Sequence, residues 1–189
     1  MKKFLVSLLL ISSLSHAQYS VKGTMQLVED FSWVLLYKIE GAKAIYVNNT
    51  QLKKEGKSGV FEFNLPSDTK VGSYRVRFSM KKNGYLDFLF NKENIEFEFN
   101  PKDPQNTITY KKSKENQLYN RFFSDISSTQ FKIDSLQKVY FEKPNSSTKE
   151  TYKIWVNILQ ETEKEYLQKS QGTLVQHFIK AADRYNSSE

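Results

Sequence analysis

The sequence predicts a β-rich domain followed by helices: an antiparallel β-sandwich of about eight strands, then a C-terminal helical extension of two to three helices. Three observations predict it. Between Tyr19 and Tyr110, apolar and polar residues alternate with period two. Turn residues interrupt that stretch at short intervals, and no helical crossover separates the strands. Beyond Tyr110 the apolar spacing changes to the three-and-four steps of a helix. The 14 Phe and 11 Tyr agree with this, since aromatics favour strands and bury large areas.

The clearest strands are Val60 to Leu65, Ser73 to Ser79, Tyr85 to Phe90 and Asn94 to Phe99. Phe61 and Phe63 share a face opposite Glu62. Tyr74, Val76 and Phe78 oppose Arg75 and Arg77, and Ile95, Phe97 and Phe99 oppose Glu96 and Glu98. Weaker candidates are Ser20 to Leu27, Trp33 to Ile39, Lys43 to Asn48 and Thr107 to Tyr110. Lys54 to Gly59, Leu65 to Asp68, Lys81 to Gly84 and Asn100 to Pro104 supply the turns, with Asn83-Gly84 the strongest hairpin signal. These features predict antiparallel neighbours throughout.

In the second half, Leu118, Tyr119, Phe122, Phe123, Ile126, Ile133, Leu136, Val139 and Tyr140 form one helical stripe that ends at Lys143-Pro144-Asn145. Tyr152, Trp155, Leu159, Thr162 and Tyr166 form the face of a second helix, stopped near Gly172. Leu174, Val175, Phe178, Ile179 and Ala182 suggest a third. The period changes near Lys111 to Ser113, so the predicted parts are 1–17, 18–112 and 113–189.

The first part reads as a secretory signal peptide. Lys2 and Lys3 precede an apolar run from Phe4 to Leu14, and Ser15 and Ala17 occupy the small-residue positions of a cleavage site between Ala17 and Gln18. The run is too short for a membrane span, which takes about 20 apolar residues. No cysteine stands at the cleavage point, so a lipid anchor there is not expected. The expected location is the periplasm or the exterior. The sequence contains no cysteine at all, so its stability must come from a packed core rather than disulfides.

The formal charge is +7, of which two leave with Lys2 and Lys3. The other lysine clusters (Lys53, Lys54 and Lys57; Lys81 and Lys82; Lys111, Lys112 and Lys114) fall where turns or element boundaries are expected, the usual place for solvated lysines. The sequence carries no nucleic-acid-binding motif, and an exported destination does not suit a nucleic-acid partner.

Catalytic patterns are sparse. Of the two histidines, His16 leaves with the signal, and His177 sits alone in a predicted helix. With one histidine and no cysteine, the mature chain cannot assemble a typical zinc site, and neither an EF-hand loop nor a glycine-rich phosphate loop occurs. No cofactor is expected. Glu62, Glu96 and Glu98 are the one set of carboxylates with the look of glycan chemistry. Cross-strand pairing with Arg75 and Arg77 is the simpler expectation, and exposed pairs of that kind contribute about 0.2–1 kcal/mol each. Trp33 and Trp155 are candidates for a binding platform, although each leads or lies on an apolar stripe and is expected in the core. Asp134-Ser135-Leu136 matches a short O-glycosylation sequon of Bacteroidota envelope proteins, which makes Ser135 a candidate modification site.

The segments Y-S-V-K-G-T-M, W-V-L-L-Y, G-V-F-E-F, G-S-Y-R-V-R-F and L-F-N-K-E-N-I-E-F-E-F, followed by K-S-K-E-N-Q-L-Y-N-R-F-F, resemble the Bacteroidota domain DUF4369 over roughly residues 19 to 123. The helical remainder, including T-L-V-Q-H-F-I-K-A, is similar to the linker that often follows that domain. The resemblance implies an N-terminal domain ahead of a thioredoxin-like thiol–disulfide oxidoreductase with a Cys-x-x-Cys site. This chain departs from that pattern in having no cysteine.

The leading expectation is therefore a non-catalytic envelope module whose partner is a thioredoxin-like domain or another envelope protein. The alternatives are the N-terminal accessory portion of a periplasmic oxidoreductase and a glycan-processing enzyme working through Glu62, Glu96 and Glu98.

Overall fold

A computed structural model describes residues 19–26, 31–81 and 84–186. The cleavage pair Ala17 and Gln18 and the turn residue Asn83 lie outside them. The β region comprises β1 (Tyr19–Gln26), β2 (Trp33–Glu40), β3 (Lys43–Gln51), β4 (Lys53–Glu55), β5 (Ser58–Leu65), β6 (Gly72–Arg77), β7 (Tyr85–Phe90) and β8 (Ile95–Phe99). A one-turn helix α1 (Pro104–Thr107) and strand β9 (Thr109–Lys112) follow. The chain then becomes helical: α2 (Lys114–Glu142), α3 (Ser146–Lys169) and α4 (Val175–Asn186).

The strands form two sheets, one ordered β4-β5-β1-β8-β9 and the other β3-β2-β6-β7. Their inward residues make one core. Val21, Phe61, Phe63, Ile95, Phe97 and Phe99 of the first sheet meet Val34, Leu36, Tyr74, Val76, Leu86 and Phe88 of the second. Rings pack across the layer, Phe88 on Phe97 at 6.1 Å and Phe78 on Phe99 at 5.2 Å between centroids. The predicted face assignments hold at β5, β6 and β8, where buried and less buried residues alternate. Gly23 lies opposite Phe61 on β5, and a Cβ at that position would meet the Phe61 ring at 2.1 Å. Only glycine lets the far end of that ring sit against β1.

Three expectations need correction. β1 and β8 run parallel, whereas antiparallel neighbours were expected throughout. The second sheet intervenes between them in the chain, so the connection is long enough to return to the same end, which no hairpin can do. Lys54 and Glu55, expected as part of the turn Lys54 to Gly59, join Lys53 in the extra strand β4 (Lys53–Glu55) against β5. The last strand begins at Thr109, because Pro104 opens α1 and Thr107 ends it.

Helices α2 and α3 form an antiparallel hairpin. Phe122, Ile126, Thr129, Ile133, Leu136 and Tyr140 recur at steps of four and three along α2 and are buried or half-buried. Tyr152, Trp155, Leu159 and Tyr166 do the same on α3, which is the spacing of a coiled-coil seam. Asn145 caps α3 by accepting from the Thr148 amide at 2.8 Å. Gly172, at φ 75°, turns the chain into α4. A second core joins the hairpin's base to the β region through Leu89, Phe122, Tyr166, Val175 and Ile179. At 1.5 Å per residue α2 is about 43 Å long. Its far half carries Phe131 and Phe141 into solvent, 72% and 81% exposed.

Candidate functional site

The β region meets the helices at a buried polar junction that sequence periodicity does not reveal. Asn116 is 1% exposed. It accepts from the Leu89 amide at 2.8 Å and donates to the Leu89 carbonyl at 2.7 Å, so it pairs with β7 as a neighbouring strand would. Ser113 caps α2 by accepting from the Asn116 amide at 3.1 Å. The Glu93 carboxylate accepts from the Lys114 and Glu115 amides at 3.1 and 3.2 Å. Glu115 accepts from the Val175 amide, the first residue of α4, and from Asn91 Nδ2, both at 2.7 Å. Two carboxylates thus sit at two helix N-termini, where unpaired amides and the helix dipole favour negative charge. The network holds Ser113 at φ 116°, outside the usual range for a residue with a side chain. Asn91, Glu93, Ser113, Glu115 and Asn116 each have a structural task here.

The candidate carboxylates lie on the outward face of the first sheet. In register across it, Glu62 of β5 faces Lys22 of β1, which faces Glu96 of β8, which faces Lys112 of β9. Lys112 reaches Glu96 at 3.0 Å and Lys111 reaches Glu98 at 2.6 Å. The expected partners Arg75 and Arg77 are on the other sheet instead. Arg75 makes a two-pronged pair with Asp87 at 2.6 and 2.7 Å and lies 3.8 Å over the Tyr85 ring, and Arg77 also faces Tyr85. The hydrogen bond from Lys112, helped by the charges of Lys112, Lys22 and Lys111, holds the Glu96 carboxyl below its usual range. A glycosidase general acid needs the opposite shift. Glu98 borders a depression of about 400 Å³ with Thr24, Gln26, Asn100 and Thr107, while Glu62 and Glu96 do not line it.

The remaining candidates separate. Trp33, expected in the core, stands at the outer face of β2 and is 36% exposed, because Val34 and Leu36 take the inward positions. Trp155 lies on the helical seam, half-buried, with Lys132 Nζ 4.0 Å from its ring centre. His177 is exposed on α4. Ser135 lies exposed within α2, its hydroxyl donating to the Phe131 carbonyl at 2.7 Å. Among the described residues no helix is long and apolar enough to cross a membrane.

What distinguishes the molecule is how its four sheet edges are treated. An edge strand exposes unpaired amides and carbonyls and invites another strand unless it is short, charged or covered. β4 has three residues, Lys53, Lys54 and Glu55. β9 has four, ending in Lys111 and Lys112. β7 is covered by α2 at its Leu89 end, where Asn116 pairs with the Leu89 amide and carbonyl. β3 is nine residues long, and Thr50 alone in it is partly buried. Ile45, Tyr46 and Val47 are 45%, 53% and 40% exposed. The register slips between Leu36 and Tyr37 of β2, which leaves Val47 as the additional residue of a bulge. Tyr46 packs edge-on to Tyr37 at 6.0 Å, and its hydroxyl accepts from Asn49 Nδ2 at 2.6 Å. Sequence held one signal for this edge: Ala44 to Val47 is an unbroken apolar run, which normally marks a strand covered on both faces. Here neither face is covered.

In comparisons with known proteins, the chain matches no family model and no curated protein.

Proposed function

We propose that the chain is an exported, non-catalytic envelope module, similar to the DUF4369 domain, whose two sheets form a sandwich that binds or positions a partner. The observation that carries this reading is the open β3 edge with Ile45, Tyr46 and Val47 in solvent, beside three edges that are short, charged or covered. The carboxylates need no catalytic role, since Lys111, Lys112 and Lys22 account for Glu96 and Glu98. A thioredoxin-like domain or another envelope protein is the partner that the resemblance favours.

The test places a photo-reactive residue at Tyr46 in cells that export the protein. A discrete adduct of reproducible mass is expected at Tyr46 and not at Phe141, on the far end of the hairpin. Absence of any adduct at Tyr46, Trp33 and Asn49 overturns the reading. Export is tested separately by intact mass, which should begin at Gln18; retention of Met1 overturns it.

A further inference from the structure

We infer that β3 is a strand-addition site: an extended, acid-flanked segment of the partner pairs with it and continues the second sheet beyond its present edge. This rests on the module reading above and specifies how the partner is held.

Backbone supply is the first ground. β3 already pairs on one side with β2, so its other side presents amides and carbonyls to solvent along about 30 Å of strand, apart from the Asn49 amide, which donates to Asn48 Oδ1 at 2.8 Å. Added strands draw affinity from such main-chain bonds and specificity from alternate side chains. Ala44, Tyr46 and Asn49 pair with Ile39, Tyr37 and Leu35 and so belong to the outward face. Ile45 and Asn48 pair with Lys38 and Leu36 and belong to the opposite face. An incoming strand would set apolar residues beside Ile45 on one face and beside Tyr46 on the other.

Charge selects the occupant. Lys43 begins β3, and Lys53, Lys54 and Lys57 lie just beyond its other end, with Glu55 the one acid among them. Lys43, Lys53 and Lys57 are in no ion pair among the described residues. Glu40, the nearest acid at the Lys43 end, is held by Lys38. A second copy of this chain, paired antiparallel through β3, would bring each Lys43 toward the other copy's Gln51 and Lys53. That brings cation toward cation at both ends of the pairing, and like charges on neighbouring strands are unfavourable. A strand with acidic residues at both ends meets a cation at each.

The probe is a fluorescent peptide about ten residues long, of alternating valine and threonine with aspartates at both ends. Binding is read by anisotropy, and amide exchange is read on β3. The expected result is slowed exchange at β3 amides, with a roughly tenfold loss of affinity in Ile45→Lys and in the double variant Lys53→Glu, Lys57→Glu. All three positions are exposed, so these variants fold, and circular dichroism verifies it. Equal affinity for a lysine-flanked peptide overturns the inference. So does unchanged affinity in Ile45→Lys, or a dimer in sedimentation that Ile45→Lys abolishes, which would make a second copy the occupant. An adduct at Tyr46 in cells without peptide binding removes strand addition and leaves the module reading intact. Failure of both removes the module reading too.

Discussion

Replacing Asn116 by leucine isolates what the junction contributes. The side chain keeps a similar volume, but the Leu89 amide and carbonyl lose their partner at 2.8 and 2.7 Å. Leu89 is 5% exposed, so water cannot readily replace it. An unpaired buried backbone group costs about 1–3 kcal/mol. Two of them give roughly 2–6 kcal/mol, from which burying a leucine in place of an amide returns about 1–2 kcal/mol. A loss near 3 kcal/mol is expected, against a total stability of about 5–15 kcal/mol. For a chain of this size that corresponds to a fall in Tm of about 6–12 °C. Urea unfolding followed by circular dichroism measures it. Asn116→Asp adds a pH signature. Its carboxylate still accepts from the Leu89 amide but faces the Leu89 carbonyl, and protonation restores a donor. The introduced acid therefore has a raised folded-state pKa, and its stabilisation is full below the unfolded value near 3.9 and lost as pH rises through the folded one. The variant should be closest to wild type in mild acid and fall behind toward neutral pH. A loss below about 1 kcal/mol in Asn116→Leu, with cooperative unfolding, would refute the reasoning.

Three further outcomes are expected. Gly23→Ala should cost about 1–3 kcal/mol in urea unfolding, because its Cβ meets the buried Phe61 ring at 2.1 Å, and Phe61→Leu in the same chain should recover part of the loss; strict additivity sinks the explanation. Burial raises Tyr74, Tyr110 and Tyr119 above their usual value, and burial with the hydrogen bond to Asp125 pushes Tyr166 up to about 12. Their stabilisation is complete below about pH 10 and lost as pH climbs through the raised values, so ultraviolet titration should show only part of the 11 tyrosines ionising before the fold opens. Simultaneous ionisation of all of them in the folded state would contradict it. Phe131→Ser and Phe141→Ser should each leave unfolding free energy within about 0.5 kcal/mol of wild type; a loss above 1 kcal/mol would mean that these exposed rings are covered in solution.

The parts of this structure legible in the sequence are those that depend on period. Tyr74, Val76 and Phe78 face inward because a strand alternates, and Leu159 and Tyr166 face α2 because a helix repeats every three to four residues. Neighbours are a different matter. Glu96 pairs with Lys112 rather than an arginine because β8 lies between β1 and β9, and alternation carries no information about strand order. Trp33 was expected inside because it heads an apolar run, but Val34 and Leu36 hold the two inward positions and leave it outside. The junction has no period at all: Glu93 from the β7–β8 connection, Glu115 and Asn116 from α2 and Val175 from α4 meet only once the sheets and helices have docked. Ala44 to Val47 carried a readable signal, but it pointed to burial on both faces, the opposite of what the edge position of β3 produces.

That contrast bears on whether the open edge is incidental. At the β7 edge, closure depends on a buried asparagine aligned with the strand, two carboxylates at helix N-termini and a serine held at positive φ. The buried asparagine and the positive-φ serine are costly alone and tolerable because the rest of the network satisfies their polar atoms. On the β3 and β4 side, cheap protection was available at every position, since one inward-facing lysine or a proline would blunt an edge strand. β3 instead has its one cation at the end, Lys43, and places Ile45, Tyr46 and Val47 along the middle. The Val47 bulge is the lone blunting device among its residues, and it also turns Tyr46 and Asn49 onto a common face, where they hydrogen-bond. The surface is thus organised by its own contacts rather than merely left over, as a docking edge requires and a tolerated one does not.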